Sequence, residues 1–194
     1  MICHDTCRGG TGAARIILTP NNINNPVHTL PQRKPIRFPG FDYSHGGYYM
    51  VTICTQNRIE YFGDIKKGHM TYNQFGLIVN RMWHSLPFRH PYITLDEYIV
   101  MPNHFHGIIY IDRESMYLTR AAPVPPLHTT KSLHQIVGGF KARSTKLIRT
   151  SGLPEFQWQR SFFDNIIRDD ISLENFRRYI RDSPKKWWRD RNNQ

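Results

Sequence analysis

The sequence predicts an α+β fold: an antiparallel sheet on the ferredoxin-like or RRM-like plan, with two helices on one face and an added carboxy-terminal helix. Three observations carry this reading. Runs rich in β-branched and aromatic residues recur at 48–54, 92–101 and 104–112. Two segments, 72–85 and 131–149, place apolar residues at helical spacing. With an aromatic, then alternating, run at 156–168, the order becomes strand, helix, strand, strand, helix, strand, and a third helical stripe follows.

Residues 1–40 are rich in Asn, Pro, Gly and Thr without a sustained period, and Pro20, Pro26, Pro31, Pro35 and Pro39 exclude a helix there. They are expected to form a flexible amino-terminal arm, whose Arg33-Lys34-Pro35-Ile36-Arg37 cluster offers either a phosphate contact or a solvated tail. The strand at 48–54 opens the domain expected over 41–187, and a loop with Gly63 and Gly68 follows. Phe75, Ile78, Val79 and Met82 then form the stripe of the first helix. The middle strand pair is broken by the turn signal Pro102-Asn103, and Ala121-Ala-Pro-Val-Pro-Pro126 makes a stiff connector.

In the second helix, Leu133, Ile136, Val137, Phe140, Leu147 and Ile148 share one arc, while Lys141, Arg143, Lys146 and Arg149 lie outside it. Such a basic face serves either solubility or phosphate contact. Residues 156–168 read as a last strand or strand pair. Asp169 and Asp170 offer an N-cap to a third helix over about 171–182, with Glu174 in its first turn and Leu173, Phe176 and Ile180 on its buried stripe. Tyr179 sits at the stripe's edge, so its ring can pack while its hydroxyl stays reachable, and Arg177, Arg178 and Arg181 surround it in sequence. Pro184 is expected to stop the helix, leaving Lys185-Lys-Trp-Trp-Arg-Asp-Arg191 as a basic, aromatic stretch that runs into a tail at 188–194.

The chain has 194 residues, with 26 Lys and Arg against 15 Asp and Glu, a net charge of +11. That excess points to a polyanionic partner, nucleic acid before membrane. No apolar run approaches the ~18 residues needed to span a bilayer, and the first residues lack the apolar region of a secretory signal. Three cysteines, an odd number, argue against a disulfide framework and for a reducing, cytoplasmic setting. Cys3, His4 and Cys7 supply half of a zinc-site pattern, but no second pair follows.

The most chemically informative residues are His104 and His106. Positions two apart on a strand project from the same face, so the imidazoles stand side by side, with Ile108 and Tyr110 beyond them. A covered histidine pair needs a partner, and a divalent metal is one it can hold with coordination positions left open. A phenol such as that of Tyr179 is a weak nucleophile until activated; arginines would stabilise its phenolate and a metal would polarise a phosphoryl group. Spacing alone does not join Tyr179 to the histidines.

Several segments together resemble a known family. Met101-Pro-Asn-His-Phe-His-Gly-Ile-Ile resembles the His-hydrophobe-His (HUH) motif of single-tyrosine transposases. Trp158-Gln-Arg-Ser-Phe-Phe-Asp-Asn-Ile-Ile-Arg-Asp169 and Phe176-Arg-Arg-Tyr-Ile-Arg-Asp-Ser-Pro184 are similar to the carboxy-terminal signature of REP-associated tyrosine transposases, and Ser132 to Lys146 to their middle helix. The resemblance covers about residues 45–187. It implies metal-dependent cleavage and joining of single-stranded DNA beside a hairpin, through a tyrosine attached to the 5′-phosphate. On this sequence it assigns the metal pair to His104 and His106, the nucleophile to Tyr179 on the added helix, and the ion as Mg²⁺ or Mn²⁺.

Relatives usually carry Gln or Asn one turn after the tyrosine as a further ligand; here Ser183 stands there, with Asp182 beside it. Either Asp182 or water then completes the coordination, or activity is weakened. The expected contacts to DNA are Lys141, Arg143, Lys146, Arg149, Arg168, Arg177, Arg178, Lys185 and Lys186, in a monomer or homodimer. A domesticated protein that grips hairpin DNA or RNA without cutting it is the alternative. A small RNA-binding domain also suits the fold plan but gives the His pair and the Tyr179 helix no role.

Overall fold

The computed structural model describes residues 46–112, 131–190 and 192–193. The expected amino-terminal arm with its Cys3, His4 and Cys7, and the connector at 121–126, lie outside them.

Four strands form an antiparallel sheet: β1 (Gly47–Cys54), β4 (Ile93–Val100), β5 (His104–Ile111) and β6 (Phe163–Ile167). Their spatial order is β4-β5-β1-β6. Counted in chain order, that is second, third, first, fourth, the ferredoxin-like arrangement. Its helices are α1 (Gln74–His84) and α3 (Leu133–Thr150), with a short α2 (Leu86–Arg89) between α1 and β4 and the added α4 (Asp170–Asp182) after β6.

Side-chain alternation on the two central strands divides the interior in two. One face carries Tyr49, Val51 and Ile53 of β1 and Phe105, Ile109 and Ile111 of β5, packed against Val79 and Trp83 of α1 and Leu133, Ile136, Val137 and Phe140 of α3. The other carries Met50 of β1, Ile108 of β5 and Ile167 of β6, covered by Leu173 and Ile180 of α4. α1 begins at Asn73, whose side chain accepts from the Phe75 and Gly76 amides, and α3 begins with a capping box between Ser132 and Gln135.

The structure departs from the sequence expectations in several places. The expected loop at 63–72 is a β-hairpin, β2 (Gly63–Lys66) and β3 (His69–Tyr72). Its turn residues Lys67 and Gly68 both have positive φ, 51° and 75°, which is the tight-hairpin backbone, but Lys-Gly is a weaker signal for it than Asn-Gly. The expected strand at 156–168 shortens to β6, with Trp158 joined to Thr55 only by an isolated bridge. Leu147 is 40% exposed, and the small Ser144 is buried instead, accepting a hydrogen bond from the Trp158 indole.

Glu174 lies beyond the first turn of α4, which Asp169 caps by accepting from the Ser172 amide. Pro184 does not end the helical path. It opens a 3₁₀ helix over Ser183–Arg189, because a proline in a first turn has no hydrogen bond to lose.

Gly107 of β5 leaves room for two rings. A Cβ there would lie 2.7 Å from both the Trp83 Cζ2 and the Phe105 Cε1 atoms, whose ring centroids are 4.6 Å apart. Gly107→Ala should therefore destabilise the fold by about 1–3 kcal/mol through overpacking, read as a lower urea midpoint at an unchanged m-value.

Candidate metal and tyrosine site

β5 begins with His104 and His106 on the α4 side of the sheet, in line with Ile108. Both imidazoles are buried, and their Nε2 atoms face each other at 3.0 Å. The outward nitrogens are engaged: His104 Nδ1 lies 2.8 Å from Asn103 Oδ1, and His106 Nδ1 lies 2.8 Å from the Thr52 hydroxyl on the neighbouring strand. Asn103 Nδ2 donates to the carbonyls of Arg58 and Asn192, which fixes its amide so that Oδ1 is the acceptor. His104 Nδ1 therefore carries the hydrogen, and its Nε2 presents a lone pair. Thr52 can accept from His106 Nδ1 and give the second ring the same tautomer.

Burial pushes the His104 pKa down to about 3, aided by nearby Arg58. Burial and then the neighbouring His104 push His106 well below its ordinary value, against a weaker pull from Asp190. Both rings are neutral at ordinary pH. Asp190 Oδ2 stands 3.6 Å from His104 Nε2, so this contact joins a carboxylate to a neutral ring rather than to a cation. Ligand atoms of His104, His106 and Asp190 all lie within 4.8 Å of one another. Two lone pairs and a carboxylate converging at that distance suit a divalent cation, with two nitrogens and one oxygen as donors. Trp187 covers the group from the 3₁₀ segment, its ring stacked near His104 with centroids 5.9 Å apart.

Tyr179 reaches the same place from α4. Its hydroxyl lies 3.4 Å from His106 Nε2, and the two rings meet edge to face at 5.2 Å between centroids. The residue is 44% exposed, so the phenol opens on solvent while the imidazoles do not. A cavity of about 370 Å³ lies beside it, lined by Tyr179, Ser183, Lys186, Arg189, Asp190 and Asn192.

α4 is held over the sheet by ion pairs as well as by its apolar stripe. The β4–β5 register shifts between Leu95 and Tyr98. Leu95, Tyr98 and Val100 all pack on the α1/α3 side, and this bulge leaves the adjacent Asp96 and Glu97 both able to meet α4. Asp96 accepts twice from Arg177, at 2.9 and 2.6 Å, and the guanidinium holds its carboxyl below the usual range. Arg181 bonds Glu97 at 3.0 Å and Glu174 at 2.6 Å. Arg177 and Arg181 are thus directed at carboxylates, where sequence adjacency had suggested the phenolate.

The other expected residues scatter. Ser183 donates to the Tyr179 carbonyl at 2.8 Å, and Asp182 faces Lys186 at 3.2 Å and Lys185 at 4.0 Å. Lys186 borders the cavity, Arg168 is exposed just before α4, and Arg178 is exposed within it. Lys141, Arg143, Lys146 and Arg149 belong to α3, across the sheet from the histidines. Of these, Lys141 donates to the carbonyls of Gln159 and Arg160, and Arg149 to that of Phe156, so both brace the segment before β6. They line an open groove of about 360 Å³ with Trp158 and Arg160.

Asp190 is the residue that sequence reasoning missed. It lies in what reads as a basic tail, and no spacing rule ties it to a motif eighty-odd positions earlier. The one available signal was that it is an acidic residue within an otherwise basic stretch, beside two tryptophans. Among the described residues, no helix is long and apolar enough to cross a membrane.

Three comparisons with known proteins place the chain. No family model matches it. An uncharacterised protein of Haemophilus influenzae is 33% identical over 167 residues, covering 83% of this chain and 93% of its own. A second protein of that organism, named "Putative REP-associated tyrosine transposase", is 28% identical over 148 residues, covering 75% of this chain and 74% of its own. A solved structure of a REP-associated tyrosine transposase bound to a REP hairpin shares the fold, with a TM-score of 0.50 at 18% identity over 73% of this chain and 68% of that one. The chain thus resembles a REP-associated tyrosine transposase in sequence and shares the fold of another.

Proposed function

We propose that this protein cuts and rejoins single-stranded DNA beside a hairpin, with Tyr179 as the nucleophile and His104, His106 and Asp190 holding a divalent metal ion. The observation that carries the reading is the approach of a solvent-open phenol to within 3.4 Å of a buried imidazole whose neighbours form a metal-capable group. The solved REP-associated tyrosine transposase with this fold, bound to a REP hairpin, supports hairpin DNA as the substrate class.

The metal, when bound, would polarise the scissile phosphate and offset the charge that develops on its oxygens. His104 and His106 would hold it through Nε2, with Thr52 and Asn103 keeping both rings oriented. Mg²⁺ or Mn²⁺ is the implied ion, and two nitrogen donors weigh towards Mn²⁺, since Mg²⁺ prefers oxygen ligands. Tyr179 Oη attacks phosphorus; the new bond is Oη–P and the broken bond is P–O3′. The departing 3′-oxygen takes up a proton as the phenol loses its own. One phosphodiester replaces another, so the step reverses without an external energy source, as cutting and rejoining require.

Lys186 and Arg189 at the cavity edge stand where they can meet the flanking phosphates. Arg178, Arg168 and Lys185 are further candidates for the strand's path. Lys141, Arg143, Lys146 and Arg149, on the opposite face, would contact a different part of the nucleic acid.

Four outcomes are expected. A stem-loop oligonucleotide with a single-stranded flank, incubated with Mn²⁺, should give a protein–DNA adduct on a denaturing gel; Tyr179→Phe should abolish the adduct and leave hairpin binding within about twofold, and an adduct formed by that variant would show a different nucleophile. Asp190→Ala should weaken Mn²⁺ binding by about 10–100-fold, the scale of losing a site contact, whereas Ser183→Ala should change it little, because the serine hydroxyl is spent on the Tyr179 carbonyl; calorimetric titration ranks the two. Chelation should abolish adduct formation and restore it on adding Mn²⁺. The fourth concerns pH. The imidazoles have folded-state pKa values below the ordinary 6.5, about 3 for His104, so the unfolded chain binds more protons in that window. Metal-free protein should lose stability as the pH falls from 6.5 towards 3, and His106→Gln should flatten that slope in urea titrations.

A further inference from the structure

Asn103 is 2% exposed and sits in the turn between β4 and β5, directly before His104. Every polar atom of its side chain is engaged, with Oδ1 at 2.8 Å from His104 Nδ1 and Nδ2 donating at 3.0 Å to the Arg58 carbonyl and at 2.7 Å to the Asn192 carbonyl. Its own carbonyl accepts from both the amide and the hydroxyl of Thr55 at 2.9 Å, so the residue is anchored at both ends.

The third of those side-chain bonds reaches another part of the chain. Asn192 belongs to the turn that follows the 3₁₀ helix, and its amide donates to Asp190 Oδ1 at 2.7 Å. That bond leaves Asp190 Oδ2 facing His104 Nε2. The same turn is closed by the Asp190 amide on the Trp187 carbonyl and the Asn193 amide on the Asp190 carbonyl. One buried carboxamide therefore links the strand that presents two imidazoles to the turn that presents the carboxylate.

We propose that Asn103 is the positioning residue of this centre: its oxygen sets the tautomer of His104, and its nitrogen clamps the carboxy-terminal turn so that Asp190 Oδ2 meets the imidazoles. The proposal rests on reading His104, His106 and Asp190 as a metal site, and adds how that site is assembled before any ion arrives. An aspartate at 103 would keep an acceptor for His104 but turn a second oxygen towards the Arg58 and Asn192 carbonyls, repelling the turn. A leucine of similar volume would lose both connections. The two variants separate the residue's two tasks.

The test uses the full chain without metal first. ¹⁵N NMR of the histidine side chains in the wild-type protein should show His104 protonated on Nδ1; protonation on Nε2 would overturn the proposal with no variant needed. Asn103→Asp should keep that signature while backbone amide exchange across 187–193 rises by about tenfold or more, and Asn103→Leu should lose both. Titration with Mn²⁺, followed by the EPR signal of the free ion, should then show affinity reduced by about 10–100-fold in each, as for removal of a ligand's supporting hydrogen bond. If His106→Ala weakens Mn²⁺ binding while Asn103→Asp leaves both exchange and affinity at wild-type values, Asn103 is not the positioning residue and the metal site stands. If His106→Ala leaves Mn²⁺ affinity unchanged, the metal site itself is wrong and the proposal falls with it.

Discussion

The period-two alternation of β5 is the constraint on which everything else depends. Phe105, Ile109 and Ile111 go to the core beneath α1 and α3, and His104, His106 and Ile108 go to the opposite face. A slip of one residue in the pairing with β1 would bury the imidazoles among Trp83 and Phe140 and turn Phe105 outward. The large aromatic contacts on the core side, Trp83 with Phe105 and Phe105 with Phe140, make that slip expensive. The core thus specifies the register, and the register delivers the two histidines to the far face as a consequence.

α4 shows how a second, smaller interface is assembled on that far face. Its apolar contacts are few, Leu173, Ile180 and a partly buried Phe176 against Met50, Ile108 and Ile167. The bulge in β4 adds two carboxylates within reach of two arginines. Exposed ion pairs contribute little by themselves, but the Arg177–Asp96 pair is bidentate and partly shielded, and its geometry fixes the rotation of the helix. That rotation determines whether Tyr179 faces His106 or solvent.

Much of this was legible in the residues. The four sheet strands, the two long helices and the third helix follow from β-branched runs and apolar stripes, and the ferredoxin-like order follows from their sequence. His104 and His106 stood out because a paired imidazole on a half-covered strand has few structural uses. The β2–β3 hairpin did not stand out, since its turn is formed by Lys67 and Gly68 rather than by a stronger turn pair. Asp190 and Asn192 were hidden for a different reason: their role depends on where a 3₁₀ segment turns back on the sheet, and local sequence does not encode that distance. The roles of Arg177 and Arg181 were misplaced because adjacency along a helix is not adjacency in space. Side chains two positions before and two positions after Tyr179 leave the helix in other directions, here towards β4.

The slender footing of α4 has a thermodynamic consequence. The body of the molecule is secured by the large cluster under α1 and α3, and α4 is secured by a handful of apolar residues and charge pairs. Local opening free energies follow buried apolar contact, so the segment bearing Tyr179 can detach at a fraction of the cost of unfolding the sheet. Because part of that footing is charge pairing, screening by salt weakens it, a dependence that the apolar face beneath α1 and α3 does not share.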